Sequence, residues 1–182
     1  TTFLMTTSTS QNVTSLHIIN TSSVPQRFSG TLYNRDGDQL GQADTDLHSG
    51  VVASQGRTVL TSADLETLFS TVAWQGPAML EVRGTAEFDL MTKLTSPSGL
   101  ISNTNCVTER RVHNVEGFDS SARTFVRLIN TGDSSIQTIR GELRDKNGDL
   151  LGASGAILTS QLDPKEAIWL TREDISDLFG ET

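Results

Sequence analysis

Two stretches 110 residues apart carry the same alternation of apolar and polar positions. In Ser15-Leu-His-Ile-Ile-Asn-Thr21, Leu16 and Ile18 flank His17; in Phe125-Val-Arg-Leu-Ile-Asn-Thr131, Val126 and Leu128 flank Arg127. A period of two puts apolar side chains on one face and polar ones on the other, which predicts a half-buried strand in each block. Next, Gly30-Thr-Leu-Tyr-Asn-Arg-Asp-Gly-Asp-Gln-Leu-Gly41 matches Gly141-Glu-Leu-Arg-Asp-Lys-Asn-Gly-Asp-Leu-Leu-Gly152 at an offset of 111, one residue having been inserted in the preceding loop. Leu32 and Leu143 precede an Asp-Gly or Asn-Gly pair, and Leu40 and Leu151 follow it. Both residues of such a pair tolerate the positive φ of a tight hairpin, so the flanking strands are expected to be antiparallel neighbours.

A third match, Val59 to Phe69 with Trp169 to Phe179, returns to the offset of 110. Thr61 and Thr171 stand three residues before Asp64 and Asp174, the spacing at which hydroxyl and carboxylate satisfy the first free amides of a helix. Leu65, Leu68 and Phe69, and likewise Ile175, Leu178 and Phe179, then follow at helical spacing. A turn or two of helix is expected, plugging the sheet edge. Past it the first block adds three strand-like runs, Ala78–Val82, Phe88–Leu94 and Leu100–Val107. The polar segment from Glu109 to Ala122, with Arg110 and Arg111, reads as a connection.

Three ordered matches with compensating gaps define an internal repeat. The expected fold is mostly β: antiparallel β-sandwich units in an internal repeat, each with one short helix. Residues 1–110 form the first unit and residues 111–182 a second, incomplete one. The expected core is Leu16, Ile18, Leu32, Leu40, Leu60, Leu68 and Phe69, with Val126, Leu128, Leu143, Leu151, Leu170, Leu178 and Phe179. Counterparts of Trp74 and Ala78 would fall at 184 and 188, past Thr182. Either the strands from Ala78 to Val107 serve both copies, or the second unit is completed by another chain, because an open sheet edge recruits partners.

Composition narrows the class. The 182 residues include 14 Lys and Arg against 22 Asp and Glu, a net charge of -8 with a pI near 4.8, which repels phosphate backbones and anionic lipid heads. Nucleic acid and membrane insertion are therefore poor expectations. The 20 Ser, 24 Thr and 15 Gly, with only 5% aromatics, favour short strands and turns. Cys106, the one cysteine, has no intrachain disulfide partner and reads as a small buried apolar residue. Residues 1–10 lack the basic and apolar regions of a secretory leader, and no run reaches the roughly 20 apolar residues of a spanning helix. Asn12-Val-Thr14 and Asn20-Thr-Ser22 match the glycan-acceptor triplet.

The familiar catalytic motifs are missing from the sequence, and His17, His48 and His113 lie far apart without carboxylate or cysteine neighbours at ligand spacing. Oxygen ligands do cluster at the hairpin tips: Asn34, Asp36 and Asp38 in one block, Asp145, Asn147 and Asp149 in the other. Asp36, Asp38, Asp145 and Asp149 are the candidate ligands for Ca²⁺. Gly37 and Gly148 fall between them, unlike the EF-hand spacing, so turn geometry is the expected explanation and no metal or cofactor is expected. Trp74 and Trp169 are candidates for stacking on a sugar. Trp169 occupies the place of Val59, which makes a core position the expectation for it.

The run Phe125-Val-Arg-Leu-Ile-Asn-Thr-Gly132, the Gly141 to Gly152 hairpin and the Leu170-Thr-x-x-Asp-Ile-x-x-Leu-Phe179 segment resemble a repeated module of secreted or surface bacterial proteins. That resemblance implies β-sandwiches used as stalks or binding domains and carries over no catalytic residue. The expected function is a non-catalytic structural or adhesive module, extracellular, at the cell surface or periplasmic. Its expected partners are a protein or glycan surface, with a homo-oligomer or a longer repeat array as its assembly. A carbohydrate-binding accessory module is the alternative, and a hydrolase whose acids converge from separate loops is a third reading.

Overall fold

The computed structural model describes residues 2–6, 8–71, 74, 76–99, 101–104 and 125–180. The fold is mostly β, with antiparallel sheets and two short helices. It divides into two compact units, Thr1–Glu109 and Arg110–Thr182. The expected connection from Glu109 to Ala122, together with Cys106 and His113, lies outside the described residues.

The first unit runs β1 (Thr2–Met5), β2 (Val13–Asn20), β3 (Phe28–Tyr33), β4 (Gln39–Asp46), β5 (Arg57–Thr61), α1 (Ser62–Leu68), β6 (Ala78–Gly84), β7 (Phe88–Thr95) and β8 (Ile101–Thr104). It forms two four-stranded sheets, ordered β1-β6-β3-β4 and β5-β2-β7-β8. The alternation read in the sequence is the alternation observed: Leu16 and Ile18 are fully buried while His17 is only partly covered. Inward side chains of both sheets, among them Leu16, Ile18, Leu60 and Leu90 from one and Phe28, Leu32, Leu80 and Val82 from the other, meet in a single apolar cluster. Phe69, from the end of α1, joins it.

The second unit runs β9 (Phe125–Ile129), β10 (Ile136–Arg144), β11 (Leu150–Leu162), β12 (Ala167–Thr171) and α2 (Arg172–Phe179). Among the described residues it holds two antiparallel pairs, β10 with β11 and β12 with β9. Leu170, Ile175 and Phe179 are buried, with Val126, Leu128, Leu143 and Leu178 partly covered around them.

Several burial expectations need correction. Leu40, Leu68, Val126, Leu128, Leu143, Leu151 and Leu178 are half-buried rather than buried. The first-unit counterparts of Val126, Leu128 and Leu143, namely Leu16, Ile18 and Leu32, are buried in a cluster shared by two sheets, in which β2 also pairs with β7 and β3 with β6. The described part of the second unit has no such strands. A second correction concerns β5 and β12, strands the sequence reading passed over by joining Val59 and Trp169 to the helix. They pair with β2 and β9, and Leu16 opposite Leu60 matches Val126 opposite Leu170.

Both helices carry the expected capping box. The Thr61 hydroxyl accepts from the Asp64 amide while the Asp64 carboxylate accepts from the Thr61 amide, and Thr171 and Asp174 do the same. Backbone conformation recurs as well. Left-handed φ is found at Gly37, Gly41, Asp44, Gln55 and Ser70, and again at Gly148, Gly152, Gly155, Lys165 and Gly180. These are the positions that the sequence offsets of 111 and then 110 pair. Thr138, a further left-handed residue, lies in the segment where the second block has its extra residue.

Candidate functional site

The hairpin tips use their oxygen atoms on themselves. Asn34 Oδ1 accepts from the amides of Asp36 and Asp38, and Asp145 Oδ1 accepts from those of Asn147 and Asp149, all at 2.8 to 2.9 Å. Such side-chain turns close the loop around Gly37 and Gly148. The amide of Asp149, foremost, holds the Asp145 carboxyl below the usual range. Asp36, Asp38 and Asp149 stay exposed at the tips. Among the described residues no group of three or more His, Cys, Asp or Glu side chains is placed to hold a metal ion.

The other carboxylates with altered acidity follow the same rule. Glu142 is lowered by its bonds to Arg144 and Ser154, Asp163 by Gln161 and Ser135, and Asp174 by the Thr171 amide and hydroxyl. Each is held in the charged form by hydrogen bonds, the opposite of the raised pKa a proton-donating carboxyl needs.

The two tryptophans part company. Trp74 is 6% exposed within the first unit's core and offers no ring face to a ligand. Trp169, expected in the core, is 42% exposed, as is Val59 at the matching position. The reason is register. Val59 lies opposite His17, and Trp169 opposite Arg127, on the outward face of their strand pairs. The Arg127 guanidinium lies over the Trp169 ring, 4.7 Å from its centroid. A cation on an indole face is an attractive contact and presents a flat, partly polar surface. At the matching place the pKa of His17 is held below its ordinary value by burial, then by the nearby charges of Arg57 and Lys93.

A pair of buried asparagines organises the loop end of each unit: Asn20, named in the sequence only as a glycan-acceptor match, and Asn130, not singled out there. Asn20 is fully buried; its Nδ2 donates to the carbonyls of Val24, Val52 and Ala53, and its Oδ1 accepts from Ser22 and Gln26. Asn130 donates to Ser134 and Leu162 and accepts from the Gly132 amide. The signal was the shared Ile-Asn-Thr run. With every amide hydrogen committed, Asn20 has no room for a glycan in the folded protein. Nearby, Gln55 Nε2 donates to the Thr21 carbonyl and Lys165 Nζ to the Thr131 carbonyl, at 2.8 and 2.7 Å.

The second unit also has a shallow cavity of about 380 Å³ lined by Leu158, Leu170, Leu178, Asp174 and Asp177. Comparison with family models, curated proteins and solved structures gives no match.

Proposed function

We propose that the chain consists of two copies of one β-sandwich module, and that it serves outside the cell or at its surface as a non-catalytic structural or adhesive element. The observation that carries the module reading is the recurrence of five left-handed residues at the sequence offsets, three of them through pairs of unlike residue type. Asp44 with Gly155, Gln55 with Lys165, and Ser70 with Gly180 keep a backbone conformation that side-chain identity alone would not maintain. The acidic, Ser- and Thr-rich composition supports the location. Labelling intact source cells with an antibody against the chain tests it: surface or medium signal is expected, and signal confined to the cytosolic fraction overturns it.

One observation favours a second reading, carbohydrate binding: the half-exposed Trp169 ring beneath Arg127. A glycan array probed with the chain and with Trp169→Ala separates the two. Binding lost in the variant would move the assignment to a carbohydrate-binding module.

A further inference from the structure

We propose that Asn147 is a deamidation site whose reaction the folded hairpin restrains, and that it converts to aspartate and isoaspartate, with water as co-reactant, when the Asp145–Asp149 turn opens.

Asn147 is the one asparagine of the sequence that is followed by glycine. In such a pair the main-chain nitrogen of the glycine attacks Cγ of the asparagine, and a residue without Cβ leaves that approach unobstructed. The new N–Cγ bond closes a cyclic imide. The Cγ–Nδ2 bond breaks, and Nδ2 departs as ammonia with the proton that the glycine nitrogen gives up. Water then opens the imide. Attack at Cγ leaves aspartate in an ordinary main chain; attack at the main-chain carbonyl leaves isoaspartate, whose main chain runs through Cβ and Cγ.

The tip meets every requirement of this reaction except freedom to move. Asn147 and Gly148 are exposed, and a Cβ on Gly148 would meet nothing within 4 Å. Both reacting ends are nonetheless held by one residue. The Gly148 amide donates to the Asp145 carbonyl at 3.0 Å, so the proton it must lose is engaged. Asn147 Nδ2 donates to Asp145 Oδ2 at 3.2 Å, which ties the carboxamide to Asp145 and away from the glycine nitrogen. Asp145 Oδ1 accepts from the amides of Asn147 and Asp149 at 2.8 and 2.9 Å and closes the turn around the pair. Reaction therefore waits on a local opening of the turn, with Asp145 as the positioning residue that opposes it.

The first unit shows which product the fold accepts. Asp36 stands where Asn147 does, before Gly37, and its amide donates to Asn34 Oδ1 as that of Asn147 does to Asp145 Oδ1. A carboxylate at this place is compatible with the same turn. Isoaspartate adds a main-chain atom inside the loop that the Asp145–Asp149 and Leu143–Leu151 pairings close. Next to Leu151 is Gly152, packed on the backbone of Phe179. Isoaspartate thus loosens the hairpin and its contact with α2, whereas aspartate leaves both in place.

For the test, the full chain and a synthetic peptide of residues 143–151 are incubated side by side in mildly alkaline buffer. Mass spectrometry follows the amide-to-acid mass gain and the isoaspartate fraction at Asn147. The peptide is expected to react at least about tenfold faster than the folded chain, because both hydrogen bonds on the reacting groups must be given up in the latter. Equal rates, or no reaction in the peptide, overturn the proposal. In the full chain Asp145→Ala is expected to raise the rate toward that of the peptide. Asp145→Asn keeps the Oδ1 acceptor that Asn34 supplies in the first unit, and is expected to stay within about threefold of the unaltered chain. An Asp145→Ala chain that is folded by circular dichroism and still reacts as slowly as the unaltered one overturns the restraint by Asp145. The peptide comparison needs no variant, so it decides the proposal if that chain fails to fold.

Discussion

Gly152 lies so close to Phe179 that a Cβ on the glycine would stand 1.8 Å from the phenylalanine carbonyl oxygen. Gly41 meets Phe69 in the same way, at 2.2 Å. The second strand of each hairpin crosses the last turn of the helix with no room for a side chain, and both glycines have left-handed φ. Gly152→Ala is therefore expected to cost at least about 3 kcal/mol, combining left-handed strain with a backbone clash. Gly148→Ala, left-handed but in open space, should cost only about 1 kcal/mol. Denaturation midpoints of the two variants decide; equal values would remove the contact from the account.

Asn20→Ala deletes a fully buried amide that bonds three carbonyls, and it removes one of the acceptors of Gln26 Nε2 as well. A loss of about 3 kcal/mol is expected, since unsatisfied buried groups bear the full cost of desolvation. Urea unfolding checks it, and a loss below about 1 kcal/mol, the net worth of one ordinary hydrogen bond, would show that water replaces the amide.

Ser70 and Gly180 follow their helices with left-handed φ, 49° and 71°. Glycine suits that position because it lacks a Cβ. Ser70→Gly is expected to raise stability by up to about 1 kcal/mol. A lowered melting temperature would mean the serine makes a contact worth more than the strain.

Acid should weaken the protein in two stages. His17 has a folded pKa below its ordinary 6.5, so the unfolded chain takes up the proton first. Stability is full above that value and falls as pH drops toward the folded pKa. Glu142, Asp145, Asp163 and Asp174 are also depressed, so their contribution is present above the ordinary carboxylate range and is lost as pH falls through their folded values. Stability measured against pH should show both slopes. His17→Gln should flatten the upper one and leave the lower.

Calcium should leave stability where it was, because Asn34 and Asp145 spend their oxygens on hairpin amides. Titrating Ca²⁺ into an EDTA-treated sample checks this by the melting temperature; a clear rise would reassign Asp36, Asp38, Asp145 and Asp149 as ligands.

Features fixed by local chemistry were legible in the sequence. The Asp-Gly and Asn-Gly hairpins and the Thr61 and Thr171 caps need only neighbouring residues, and their residue types announce them. Trp169 was misplaced because its outward direction depends on pairing with β9, a register that one strand cannot reveal. In the turns Ala53–Gly56 and Asp163–Glu166 the left-handed residue is Gln55 or Lys165 rather than a glycine, so residue type did not mark that position. The half-buried state of Val126, Leu128 and Leu143 depends on which strands lie beside them, and alternation is silent about that. For the candidate site, Asn20 and Asn130 were hidden because a buried asparagine and an exposed one look alike until the carbonyls around them are placed.

α1 is seven residues long and α2 eight, lengths at which a helix has no standing of its own in water. Each is held by packing, Leu65 and Phe69 in one core and Ile175 and Phe179 in the other, with the backbone of its terminal phenylalanine against a glycine carried by the hairpin. Helix and hairpin therefore melt as one, and neither is lost while the other is kept. A force or a binding partner that grips the exposed turn at Asp36 acts, through Gly41, on the far end of α1, which makes the turn a handle on the cooperative unit as a whole.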